Sequence, residues 1–110
     1  MPNLRETTTA VIIRAERIRN AYTTEPYEAG WAGEAIVFLI GVDDGAKGTV
    51  RIQISPDGMN WVDEGTELDI PAKGDVSFCK LTHFGNWLRL ESELPDGGES
   101  RLTATLQLKG

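Results

Sequence analysis

The residues best equipped for chemistry are few. One histidine, His83, and one cysteine, Cys79, lie four positions apart. A thiol nucleophile needs a base within hydrogen-bond reach and a third group to orient the imidazole. A single strand running through both positions places them on one face. However, Thr82-His83-Phe84-Gly85 reads as a strand end, and nothing nearby marks an oxyanion site. The pair reads as a structural thiol and a loop imidazole. Zinc needs clustered His and Cys, and one of each does not supply them. Two acidic turns, Asp43-Asp44-Gly45 and Asp57-Gly58-Met59-Asn60, offer oxygen ligands, yet neither has the spacing of a calcium loop. The glycines form no phosphate-cradling loop of either nucleotide-binding type. These readings predict a chain that is not an enzyme and carries no cofactor or metal.

Aromatic residues are the other chemical resource. Trp31, Trp61 and Trp87, with Tyr22 and Tyr27, raise the possibility of sugar rings stacking on exposed indoles. Trp61 and Trp87 fall in strands, where packing is the commoner fate of an aromatic ring. Trp31 sits in the glycine-flanked Gly30-Trp31-Ala32-Gly33 and is the one expected at the surface. There it serves as a protein contact, a sugar platform or a lid over the core.

The elements that must position these residues follow from periodicity. The chain has 110 residues, 40% of them apolar and 25% charged. A domain of this size hides roughly 65% of its unfolded surface, enough for one core without disulfides or metal. Twelve glycines and five prolines punctuate short apolar runs, the pattern of many strands joined by tight turns. Glu34 to Val42 is a continuous apolar run of strand length, as expected when both faces are covered. Thr49 to Ser55 alternates strictly, with Val50, Ile52 and Ile54 inward. Pro56-Asp57-Gly58 turns the chain. Met59 to Asp63 and Thr66 to Ile70 read as two strands separated by a Glu64-Gly65 turn. In Val76 to Leu81, Val76 and Phe78 alternate with polar neighbours. Trp87 to Leu94 sets Leu88, Leu90 and Leu94 on one face, with Ser92 between them. Asp96-Gly97-Gly98 is a tight hairpin signal, and Arg101 to Lys109 alternates cleanly with Leu102, Ala104, Leu106 and Leu108 inside. Residues 10–20 are ambiguous. Val11, Ala15, Ile18 and Tyr22 form a helical stripe, while Val11, Ile13 and Ala15 alternate as a strand. The β-branched Val-Ile-Ile favours a strand with a bulge near Arg17. The fold expected is all-β: a single antiparallel β-sandwich of eight or nine short strands over residues 10–110, preceded by an extended arm over residues 1–9.

Charge narrows the partners. Eleven Lys and Arg against 17 Asp and Glu leave a net charge of −6, a field that repels phosphate backbones and argues against nucleic acid. Within residues 1–20, Arg5, Arg14, Arg17 and Arg19 outweigh Glu6 and Glu16, a local balance of +2. These arginines either pair across strands with the domain's own carboxylates or dock on an acidic neighbour. No apolar run of membrane-spanning length occurs. The Met1-Pro2-Asn3-Leu4 start lacks the apolar core of a secretory leader, so a cytoplasmic beginning is expected.

One set of motifs resembles a known family. Glu25-Pro26-Tyr27-Glu28-Ala29-Gly30, the apolar Ala35-Ile36-Val37-Phe38-Leu39, and the hairpin Ile52-Gln53-Ile54-Ser55-Pro56-Asp57-Gly58-Met59-Asn60-Trp61 resemble small virion proteins of tailed bacteriophages. Asn86-Trp87-Leu88-Arg89-Leu90 and Leu102 to Lys109 match their later strands, so the resemblance covers residues 25–110. It implies a jelly-roll-like sandwich present in multiple copies on a virion, with no chemistry of its own. Within that family a capsid decoration or cement protein is expected, with a head–tail or tail accessory role as the alternative. A carbohydrate-binding module is the competing reading from a different class. The implied partners are the major capsid protein or another virion protein, and further copies of the chain, a trimer being favoured. The resemblance implies a virion location, with assembly in the cytoplasm of the bacterial host expected. The basic first strand departs from the family pattern. It suggests an attachment surface of Leu4, Arg5, Arg14, Arg17, Arg19 and Trp31.

Overall fold

A computed structural model describes residues 7–110. Leu4, Arg5 and the rest of residues 1–6 lie outside the described residues. The strands are β1 (Thr7–Arg19), β2 (Tyr27–Glu28), β3 (Glu34–Gly41), β4 (Thr49–Ser55), β5 (Val62–Asp69), β6 (Val76–Thr82), β7 (Trp87–Glu93) and β8 (Glu99–Lys109). They form two four-stranded antiparallel sheets, ordered β1-β8-β3-β6 and β2-β7-β4-β5. Every connection except β4 to β5 crosses from one sheet to the other. This is the jelly-roll winding expected from the sequence.

The alternation of side chains builds the core. Val37, Leu39, Leu102, Leu106 and Leu108 from the first sheet meet Val50, Ile52, Leu88 and Leu90 from the second, all buried. Burying each such side chain contributes roughly 1.5–3 kcal/mol. Ser92 is also buried and occupies a core-facing position, but it is satisfied. Its hydroxyl donates to the Arg19 carbonyl at 2.7 Å and accepts from the Tyr22 amide at 2.9 Å. That serine therefore ties the chain after β1 to β7, which explains its place in a row of leucines.

Several elements differ from the sequence expectation. Residues 10–19 are strand, and β1 starts at Thr7, so the last three residues of the expected arm pair with Gln107–Lys109. Two register shifts, between Val11 and Ile13 and between Ile13 and Glu16, break its alternation. Val11 therefore points outward opposite Thr105, while Ile13 and Ile18 point inward. The apparent helical stripe is a strand pattern shifted twice in phase. Ala15 holds the second shift at φ 49°, a left-handed conformation that disfavours a Cβ. Ala15→Gly is expected to raise stability by about 0.5–1 kcal/mol in urea titration. A loss of stability instead means that the Ala15 methyl makes packing contacts that outweigh the backbone strain.

Glu64-Gly65 is not a turn. Gly65, at φ 111°, lies within the register shift that bends a single continuous β5 against β4. The expected pair of strands is thus one, and the total among the described residues is eight. Asp96-Gly97-Gly98 does turn tightly, with the Gly98 amide donating to the Pro95 carbonyl at 2.8 Å. It joins β7 to β8 across the two sheets rather than closing a hairpin within one.

Candidate protein-interaction face

Structure separates the residues that carried a catalytic or metal possibility. Cys79 faces the core of the first sheet, and burial pushes its thiol up to about 11, away from the nucleophilic thiolate. His83 is exposed in the loop after β6, at φ 54°. The Asp57 carboxylate is saturated by its own turn. Its Oδ1 accepts from the amides of Met59 at 2.9 Å and Asn60 at 2.8 Å and from the Ser55 hydroxyl at 3.0 Å, while Oδ2 accepts from Asn60 Nδ2. Those donors, the Asn60 and Met59 amides foremost, hold the carboxyl well below its ordinary value. In the other acidic turn Asp44 Oδ1 accepts from the Lys73 amide at 3.0 Å, and Asp43 lies 3.9 Å from Arg101. Among the described residues no three acidic, imidazole or thiol groups converge in a metal-binding cluster.

The aromatics are dispersed in role. Arg89 stacks on the Trp61 ring at 4.2 Å from its centre. Trp87 lies over Gly58, where a Cβ would approach its ring to 3.3 Å. Trp31 is exposed, as expected, in the loop between β2 and β3.

The arginines of β1 turn largely toward their own domain. Arg17 and Arg19 both reach Glu99 on β8, at 3.1 Å and 3.0 Å. Arg101 Nε donates to the Ala15 carbonyl at 2.8 Å and so braces the bulge. Arg14 is exposed. Exposed ion pairs of this kind contribute about 0–1 kcal/mol each. They neutralise one another more than they advertise a binding site.

A surface that sequence reading missed lies on the outer face of the β1-β8-β3-β6 sheet. The registers align Val11, Thr105, Phe38 and Phe78 in one row across all four strands. The Phe38 and Phe78 rings lie 6.1 Å apart. Thr103, Ile40 and Val76 form the next row. Phe78 is 57% exposed and Val76 55%. These side chains form one contiguous exposed apolar patch, the kind of surface that often serves an interaction. Ile36 continues the patch into a shallow groove of about 290 Å³ bordered by Lys80, Gln107 and Lys109.

The outer face of the β2-β7-β4-β5 sheet is the opposite in character. Arg51 pairs with Glu91 and, at 3.5 Å, with Glu93. Arg89 donates to Gln53, and Gln53 donates to Asp63. The face is charged, and its two arginines are engaged within it.

The apolar row was hidden by two interleaved sets of apolar residues. In β3, Ala35, Val37 and Leu39 face the core, while Ile36, Phe38 and Ile40 face outward. The run is apolar on both faces as read, but the described residues cover only one of them. In β6, Cys79 and Leu81 are the inward pair, which turns Val76 and Phe78 out. The signal available was the continuous run itself, which implies a second cover for β3.

The fold is similar to that of the SPBc2 prophage-derived protein YomS, with a TM-score of 0.69 and 8% identity over 100% of this chain and 98% of that one. It is also similar to the PBSX exported protein XepA, with a TM-score of 0.59 and 14% identity over 96% of this chain. The match covers 36% of XepA, so this chain spans about a third of that protein. At such identities the likeness is one of fold. No protein-family model matches the chain, and no curated protein sequence does.

Proposed function

We propose that this chain is a non-enzymatic structural protein of a phage particle, a capsid decoration or cement protein that attaches by the outer face of its β1-β8-β3-β6 sheet. The observation that carries the reading is the open apolar patch of Val11, Phe38, Ile40, Val76 and Phe78, contiguous across one sheet face. A jelly roll that works through a face needs no pocket, cofactor or moving part, which suits a shell protein. Support comes from the fold shared with a prophage-derived protein of nearly the same length and with a PBSX exported protein. Attachment shifts from the basic edge inferred from sequence toward the centre of the sheet, because Arg17 and Arg19 are engaged with Glu99.

The test is co-sedimentation with particles and empty heads of the phage or prophage that encodes the chain. Wild type is expected in the head fraction, and Phe78→Glu is expected to remain in the supernatant with an unchanged melting temperature. Sedimentation with tails alone assigns the accessory role instead. Equal binding by Phe78→Glu removes the face from the proposal, and no binding by wild type removes the particle.

A further inference from the structure

We infer that the partner of this face is an acidic protein surface with an apolar centre, and not a second copy of the chain. The inference rests on the reading of the β1-β8-β3-β6 face as a docking surface and adds the chemistry of what docks there. The chain has a net charge of −6, yet this face is cationic. By register, Arg17, Arg19, Arg101, Lys80 and Lys109 project from it, five cations against the carboxylates Glu34 and Glu99. Glu99 is shared by Arg17 and Arg19, and Arg101 lies 3.9 Å from Asp43. Lys80 and Lys109 border the groove beside Ile36 and form no ion pair among the described residues. The excess acid lies on the opposite face, where Asp63, Glu67, Asp69, Glu91 and Glu93 outnumber Arg51 and Arg89. The sandwich is thus polarised through its thickness.

That polarity selects among occupants. A second copy presenting the same face brings two surfaces of like net charge together, which disfavours a symmetric contact. A second copy presenting its other face has no apolar row to receive Phe78 and must bury the Arg51–Glu91 pair, which is unfavourable without compensation. Nucleic acid satisfies the lysines but leaves the phenylalanines against phosphate. An anionic membrane satisfies both in principle. Yet Val76, Phe78 and Ile40 stand on a four-stranded sheet face rather than on a protruding loop or amphipathic helix able to enter a headgroup layer. A protein surface remains. Interfaces of ordinary size bury about 800 Å² per partner, a little over half of it apolar, with an apolar centre and a polar rim, and an apolar patch bordered by lysines has that anatomy.

The experiment uses the purified full chain and defined probes. Isotope-labelled protein is titrated with a random copolymer of glutamate and tyrosine, with polyglutamate, and with vesicles of equal parts phosphatidylglycerol and phosphatidylcholine. Its mass in solution is followed across concentration. The inference expects the mixed copolymer to bind more tightly than polyglutamate, with resonance shifts centred on Ile36–Ile40, Val76–Lys80 and Thr103–Lys109. Affinity is expected to fall roughly tenfold between about 50 and 500 mM salt. The exposed variant Lys80→Glu is expected to lose about tenfold in affinity while keeping its melting temperature, and Phe78→Ser a similar amount. Absence of copolymer binding, binding unchanged by charge reversal, preference for vesicles, or a dimer abolished by Phe78→Ser each overturns it. Because no particles are used, the two readings fail separately. Copolymer binding without particle binding removes the phage role and leaves the partner chemistry standing, whereas the reverse removes only the acidic partner.

Discussion

Replacing Gly41 with alanine is expected to destabilise the domain by about 3 kcal/mol or more, a large share of the total for a chain of this size. Gly41 ends β3 and is buried under the loop between β5 and β6. A Cβ at this position would stand 2.1 Å from the Ala72 carbonyl oxygen and 2.7 Å from that of Pro71. Both obstacles are backbone atoms. The loop that carries them is tied down by the Gly41 amide donating to Asp75 and the Gly74 amide donating to Gly41, each at 3.0 Å. Relief therefore requires breaking those bonds or displacing the end of β3, whose inward Leu39 is fully buried. Gly33→Ala is the matched control. Its Cβ meets nothing within 4 Å and its φ is ordinary, so the substitution is expected to be neutral or to stabilise by about 0.4–1 kcal/mol through the unfolded chain. Urea midpoints of the two variants check the pair. Near-equal midpoints mean that the loop does not pack on β3 as described.

The second large effect separates the two faces of one sheet. Leu106, at the centre of β8, is 1% exposed and lies between Ala10 and Val37. Leu106→Ala removes buried methyl groups and leaves a cavity, and is expected to lose about 2–5 kcal/mol. Phe78 is the larger side chain, yet it faces outward and is more than half exposed. Phe78→Ala gives up chiefly its contact with the Phe38 ring, about 0.5–1.5 kcal/mol. The two losses are read from urea unfolding of the isolated protein. Comparable losses place Phe78 in the core and reverse the orientation of β6. The expected inequality leaves Phe78 as a residue whose burial awaits a partner.

Much of the fold was legible because alternation is a local property. Strands β4, β7 and β8 each carry one apolar set in one phase, so their boundaries and inward residues followed from spacing alone. The reading failed where a residue was added to a strand. Two one-residue bulges in β1 change the phase midway, the two-residue shift in β5 imitates a turn, and the pairing partners that reveal the extra residues lie on another strand. Arg17 illustrates the same limit for function. Its charge was plain, but its engagement with Glu99 joins positions 82 residues apart.

The amino-acid sequence by itself determined the class of architecture. Short alternating runs between Gly, Pro and Asp turns commit the chain to antiparallel sheets. Tertiary structure decided which apolar residues are core and which are surface. β3 and β6 hold apolar side chains in both phases, so nothing local states which phase turns inward. That choice is made by the pairing of β3 with β8 and by the opposing sheet, which together cover Val37, Leu39 and Leu81 and leave Phe38, Ile40 and Phe78 facing out. Polarity through the sandwich arises in the same way. The sum of charges is a property of composition, but its separation onto two faces depends on which strands lie side by side.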